Sequence, residues 1–240
     1  MNTVLDLGNS TIQNGIRTFD VFRSRREAID TFVFTFREGL RLNVEAGTRA
    51  EFYVNLPGGE PKKVFHGSVD RARAPFRARD KMAELMKPIN QAFINTVPQE
   101  VLNYVLQREG IGGAILSPQT FPKKNFVASA PSFYDLVLHV NKHWSAAYSG
   151  YFDLEGIFRW HSYEQPGKVP VFAYGENIIR LEYDGIEGRI LTILVPEIDH
   201  SRLIGIEHPE VDVDEVLVDA VHHYTNDRGG ARTEIHFSVV

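Results

Sequence analysis

The chain contains no cysteine. Disulfide staples, thiolate-held zinc and cysteine nucleophiles are therefore excluded. Long apolar runs are missing too. The longest candidate, Ile190 to Val195, is strand-sized and carries Thr192, far short of the ~20 residues a membrane-spanning helix needs. The opening residues, MNTVLDLGNSTIQNG, lack a basic segment followed by an apolar one, which predicts no signal peptide and a soluble chain. The phosphate-loop pattern Gly-x-x-x-x-Gly-Lys-[Ser/Thr] and the Gly-x-Ser-x-Gly elbow are absent. Gly110, Gly112 and Gly113 follow a predicted helix instead of opening one, the wrong context for a dinucleotide site. The expectation is a protein that is not an enzyme, with no cofactor and no catalytic, cofactor-binding or metal-binding residues to assign.

What is present is an ordinary globular balance. With 240 residues, 43% of them hydrophobic, the chain can bury a core without staples and make one large or two small domains. Its net charge of −5 is unevenly spread: residues 1–120 hold 16 Lys and Arg against 13 Asp and Glu, and residues 121–240 hold 10 against 18. Such asymmetry marks either a partner surface or lined channel, or simply unequal solvated faces.

The first third is patterned for strands. Phe32, Phe34 and Phe36 alternate with Thr31, Val33, Thr35 and Arg37, the period-two signature of a half-buried strand. Leu40–Val44, Glu51–Leu56 and Lys63–Val69 follow as further strands, with a strong turn at Pro57-Gly58-Gly59-Glu60-Pro61. Phe32, Phe34, Phe36, Phe52, Val54 and Phe65 are the predicted core of a small barrel or sandwich. The middle third is helical: one short helix over Arg79–Lys87, one from a Thr96 N-cap through Val101, Leu102, Val105 and Leu106 to Gly110, and one from Ser132 to about Trp144. Tyr151–Trp160 reads as a hairpin turning at Glu155-Gly156. The last third returns to strands: Val169–Tyr174, Ile178–Tyr183, Ile190–Val195, Leu203–Glu207, Glu215–Tyr224 and Ala231–Val240, with Asp227-Arg228-Gly229-Gly230 as the final turn. The organisation is mainly β (α+β): a first β-barrel module at 1–75, a helical or mixed α/β insert at 76–165 and a second β-barrel module at 166–240.

Four features invite a chemical reading. His139 and His143 stand i,i+4 on a predicted helix and can share a face, as metal ligands or as partly exposed polar positions. His222 and His223 are consecutive in a predicted strand, so their side chains point to opposite faces and cannot chelate together; His236 could join one of them across the hairpin. Arg71, Arg73, Arg77, Arg79 and Lys81 form a basic stretch for phosphate, for an acidic subunit, or for solvent. Residues 182–219 carry eleven acids against Arg189 and Arg202. They read as an acidic channel wall that repels DNA, as a calcium loop at Asp212-Val213-Asp214-Glu215, or as plain acidic surface. A sugar site would use Trp144, Tyr148, Tyr151 and Trp160 with Asp153 or Glu155.

Several stretches together resemble the baseplate hub, or late control protein D, family of tailed phages and contractile injection systems. They are the ordered strands from Phe32 to Phe65 with the closing Phe65-His66-Gly67-Ser68-Val69; Thr96 to Gly110; the hairpin Phe152 to Trp160; and Val221 to Glu234. The resemblance implies tube-like barrels built from the first and last thirds around an insert, and a homotrimeric ring surrounding a channel. The implied partners are the chain itself, a tail tube or distal tail protein, and a central spike or fibre protein, with DNA passing through unbound. It implies a place in the virion, at the tail tip. A last strand running to Val240 predicts no fused spike or hydrolase. The competing expectations are another tail ring, such as a distal tail or tube-completion protein, and a carbohydrate-binding or cell-wall-degrading module.

Overall fold

The computed structural model describes residues 1–40, 42–162, 169–225 and 229–240. They form two compact units. Residues 1–80 and 163–240 make the first, and residues 81–162 make the second.

The first unit opens with β1 (Asn2–Leu7), β2 (Ser10–Gln13), β3 (Ile16–Ser24), β4 (Thr31–Phe36), β5 (Arg49–Asn55), β6 (Lys62–Arg71) and β7 (Phe76–Arg79). The phenylalanine alternation of β4 does what its period requires. Phe32 and Phe34 point inward and are fully buried. The Phe32 ring lies 4.6 Å from both Phe34 and Phe52 and 5.3 Å from Phe65. Each such ring contributes roughly 2 kcal/mol by leaving water, and together with Leu5, Phe19, Val21 and Val54 they make one core. Gly67 is required where β6 meets β7: a Cβ there would sit 2.0 Å from the Arg79 carbonyl oxygen.

The second unit follows: β8 (Ile89–Thr96), α1 (Pro98–Arg108), β9 (Ala114–Leu116), β10 (Lys123–Ala130), α2 (Phe133–Trp144), β11 (Ser149–Phe152) and β12 (Phe158–His161). The apolar stripes of α1 (Val101, Leu102, Val105, Leu106) and α2 (Phe133, Leu136, Val137, Val140) face a second core around Trp160. Ser132 caps α2 as its position predicts, accepting the Asp135 N–H at 3.1 Å. The β8–β10 and β9–β12–β11 sheets complete the unit.

The chain then returns to the first unit with β13 (Val171–Ala173), β14 (Ile178–Tyr183), β15 (Glu187–Ile193), β16 (Leu203–Glu207), β17 (Glu215–Thr225) and β18 (Ala231–Val239). These surround their own core of Phe172, Ile190, Ile204, Val218, Ile235 and Phe237. One sheet carries both sets of strands. Its order is β14-β15-β18-β17-β3-β4-β7-β6-β5-β1-β2, with β16 and β13 branching from β17. The join is β17 against β3, where Ala220 faces Ser24 and Tyr224 faces Asp20. The fold is mainly β with a helical section between two strand sets, the class the sequence predicts.

Several local expectations are corrected. Arg79 ends a strand and only Lys81–Leu85 turn, as a 3₁₀ helix, because Asp80 N–H is tied to the Asp30 carbonyl. The N-cap of α1 is Val97, one residue later than Thr96. Glu100 reaches back to accept both the Val97 N–H (3.2 Å) and the Thr96 hydroxyl (2.9 Å). Leu40 and Leu42–Val44 are loop, and Arg41 lies outside the described residues. So do Asp227 and Arg228 of the expected last turn, and the 165/166 module boundary.

Candidate functional site

The join between the first and last strand sets is held by an ionic cluster. The inward rhythm of β3 puts Arg23 where an apolar residue is usual, and the residue is 3% exposed. Its guanidinium donates to Asp30 at 2.9 Å and to Asp199 at 2.5 Å. Asp30 also accepts the Ser24 N–H. Asp199 comes from the strap between β15 and β16, which is pinned to β17 by Ser201 N–H to the Val218 carbonyl. Beside it, Arg26 bridges Asp219 of β17 (2.8 Å) and Glu187 of β15 (2.5 Å). Burial disfavours the Arg23 cation, but Asp199 and Asp30 outweigh it and hold it charged. Burial would raise the Asp199 carboxyl; the charges of Arg23, His200 and Arg202 bring it down to about 2. Arg23 thus links a residue of β3, the segment before β4 and the strap.

Next to the cluster lies a serine–histidine–carboxylate constellation. His200 Nδ1 is 3.0 Å from Ser201 Oγ, and His200 Nε2 lies 3.9 Å from Asp199 and 4.0 Å from Asp30. Ser201 and His200 are 1% and 2% exposed, so no ester or amide can reach the hydroxyl. Burial also lowers the His200 pKa. Both side chains are packed inside the first unit.

The histidines singled out from sequence take separate places. His139 and His143 do share a face of α2, but they clasp Phe126, each ring 5.0 Å from it. Among the described residues no group of three His, Asp or Glu side chains is placed to hold a metal. His222 faces Asp20 at 3.1 Å, whereas His223 is buried on the opposite side, 2.9 Å from Thr233 Oγ1. His236 lies beside Glu234 at 3.0 Å.

The charged stretches are broken up by pairing. Arg77 and Arg79 both bind Asp70 (2.7 and 2.9 Å), while Arg71 and Arg73 are exposed. Of the acids in 182–219, Asp199 and Asp219 are drawn into the ionic cluster, Glu182 binds Arg189 and Glu187 binds Arg26. Glu207, Glu210, Asp212, Asp214 and Glu215 remain together on the exposed 207–215 segment. The aromatic sugar platform is dismantled as well. Trp144 and Trp160 are core residues, the latter donating to Asn141 at 2.9 Å. Asp153 is occupied by Arg159 (2.7 Å) and by the N–H groups of Glu155 and Ile157.

What the fold leaves open is backbone. Along the sheet path, β14 pairs only with β15 and β2 only with β1 among the described residues, apart from an isolated Tyr174–Ile178 bridge. Sequence reading did not single out either edge, and edge status depends on the whole topology. Both are surfaces for strand addition. Among the described residues no helix is long and apolar enough to cross a membrane.

No protein-family model matches the chain, and no curated protein matches it by sequence. Solved structures do match by fold. A 43 kDa tail protein of prophage MuSo2 from Shewanella oneidensis aligns over 100% of this chain and 98% of its own, with a TM-score of 0.76 and 13% identity. A tail protein from Neisseria meningitidis MC58 aligns over 99% and 96%, with a TM-score of 0.77 and 9% identity. An E. coli component of the type VI secretion system, described as similar in structure to the T4 bacteriophage tail proteins gp27 and gp5, aligns over 98% and 76%, with a TM-score of 0.68 and 10% identity. At such identities the likeness is one of fold.

Proposed function

We propose that the chain is a structural baseplate hub protein of a phage tail. Three copies form a ring that joins the tail tube, or a distal tail protein, to a central spike or fibre. DNA passes through the ring without specific binding. The strand sets of residues 1–80 and 169–240 act as two tube-like modules, with residues 81–162 inserted between them. The protein works in the virion at the tail tip, and its role is assembly, not catalysis.

One observation carries the reading: end-to-end agreement of fold with two tail proteins, one of them from a prophage, over 96% or more of each of these chains. The open edges support it. A sheet path that ends in two different strands, each paired on one side only among the described residues, offers a head-to-tail contact, and head-to-tail contacts generate rings when the rotation closes. The buried Arg23 cluster supports it differently, by fixing the register of the two strand sets so that copies meet in one geometry.

The test is stoichiometry in place. Tail particles containing the protein, imaged end-on by electron microscopy, should show three copies around the channel. Six copies would favour a distal tail or tube-completion ring, and a protein that never joins tail particles would refute the reading.

A further inference from the structure

An open sheet edge on a free protein is a liability, because any exposed strand can add to it. On β14 the regular edge is Arg180–Tyr183; a bulge between Ile178 and Arg180 limits it on one side. The segment contains no proline. Arg180 and Glu182 lie on the sheet's outer face, opposite Leu191 and Arg189 of β15, while Leu181 opposes the buried Ile190. Two apolar side chains nearby, Ile179 and Ile193, are more than half exposed.

Antiparallel pairing of this strand with itself has few possible registers. Side chains that face one another must lie on the same face of the sheet. Position 180 can therefore oppose position 180 or 182 of a second copy, but not 181. If 180 meets 180, two arginines collide, and if 182 meets 182, two glutamates do. The register between them places Arg180 of each copy against Glu182 of the other and Leu181 against itself on the two-fold axis. Opposite charges facing across strands stabilise the pair, and like charges destabilise it. The outer-face charges thus select one register and exclude its two neighbours.

We infer that β14 pairs with β14 of a second copy, antiparallel and centred on Leu181, in the free protein. The pairing is isologous and closes after two copies. It masks the edge before assembly without polymerising. In this respect the inference goes beyond the hub reading and does not depend on the copy number in the finished ring.

Charge exchange tests it on the full-length chain. In mass photometry and light scattering over a concentration series, the unaltered protein should show a dimer. Arg180→Glu places glutamates against glutamates, and Glu182→Arg places arginines against arginines. Each alone should weaken association by about tenfold or more. An equimolar mixture of the two variants restores both opposite-charge contacts and should recover a heterodimer, which a folding defect could not do. Because the chain has no cysteine, Leu181→Cys supplies a single thiol on the axis. Facing Cβ atoms about 4.5 Å apart, the near end of the range for directly opposed strand residues and within disulfide reach, should cross-link two copies on mild oxidation. A protein monomeric at every concentration overturns the inference, as does a mixture that stays monomeric. Dimers that survive both charge variants and fail to cross-link through position 181 overturn it too. That last pattern is what β14 against β2 of another copy would give, so it would leave the ring reading standing.

Discussion

Mild acid should loosen the first unit through a single buried histidine. His223 on β17 is 2% exposed, with Nδ1 2.9 Å from Thr233 Oγ1. Burial lowers its pKa from 6.5 to about 4; Asp199 and a hydrogen bond at Ile198 oppose that, while Arg23 and His222 reinforce it. The unfolded chain therefore takes up a proton near 6.5, and the folded chain only near 4. The stabilisation is fully present above about pH 6.5 and is lost as pH falls from 6.5 through 4, about 3 kcal/mol in all. At pH 5 the loss from this residue is about 2 kcal/mol, which lowers Tm by roughly 4–8 °C for a chain of this size. His200, also buried and lowered, acts in the same direction. Asp199, held at about 2, keeps its contribution until pH falls below its ordinary 3.8. Unfolding should be followed by circular dichroism or by hydrogen exchange on the strap of residues 195–202. Both tryptophans lie in the second unit, so their fluorescence would report the wrong part of the molecule. His223→Gln keeps a polar partner for Thr233 and removes the titration, so it should flatten the decline between pH 7 and 5. Equal pH dependence in the variant and the unaltered protein would refute the argument.

Other expectations follow from the same packing. Arg23→Met leaves Asp30 and Asp199 without their cation and should cost roughly 3–5 kcal/mol, read as a lower urea midpoint. Gly67→Ala must push a methyl against the Arg79 carbonyl and should cost about 1–3 kcal/mol. Gly112→Ala, with nothing within 4 Å, should be close to neutral in the same denaturation experiment. Dialysis against EDTA should leave Tm unchanged, since His139 and His143 hold Phe126 and have no third ligand among the described residues.

Strands and helices with an unbroken period were legible from residues alone. The phenylalanines of β4 and the stripe and serine cap of α2 predicted their elements closely, and Leu203–Glu207 was placed to the residue. The strands before residue 25 were missed for physical reasons. A bulge between Ile16 and Thr18 shifts the phase of β3. The inward side chain that should be apolar is Arg23, whose burial makes sense only once Asp199, 176 residues away, is in place. Leu40–Val44 shows the opposite failure. Leu42 and Val44 alternate correctly and pack against the first core, but they join no strand ladder among the described residues, and alternation without a ladder makes no strand. For the candidate site, the absences of motif were readable, and so was the divergence of His222 and His223. The ionic cluster and the open edges were not, because both arise from contacts across most of the chain.

The β3–β17 seam also imposes a schedule on synthesis. Ser24 of β3 must wait for Ala220 of β17, and at ordinary translation speeds of roughly 5–20 residues per second that interval is about 10–40 s. All of residues 81–162 emerge within it, with a core of their own. On the ribosome the inserted unit can finish folding while the opening strands still hold out a bare edge for a partner not yet made. A nascent chain in that state is the form of this protein most in need of a chaperone.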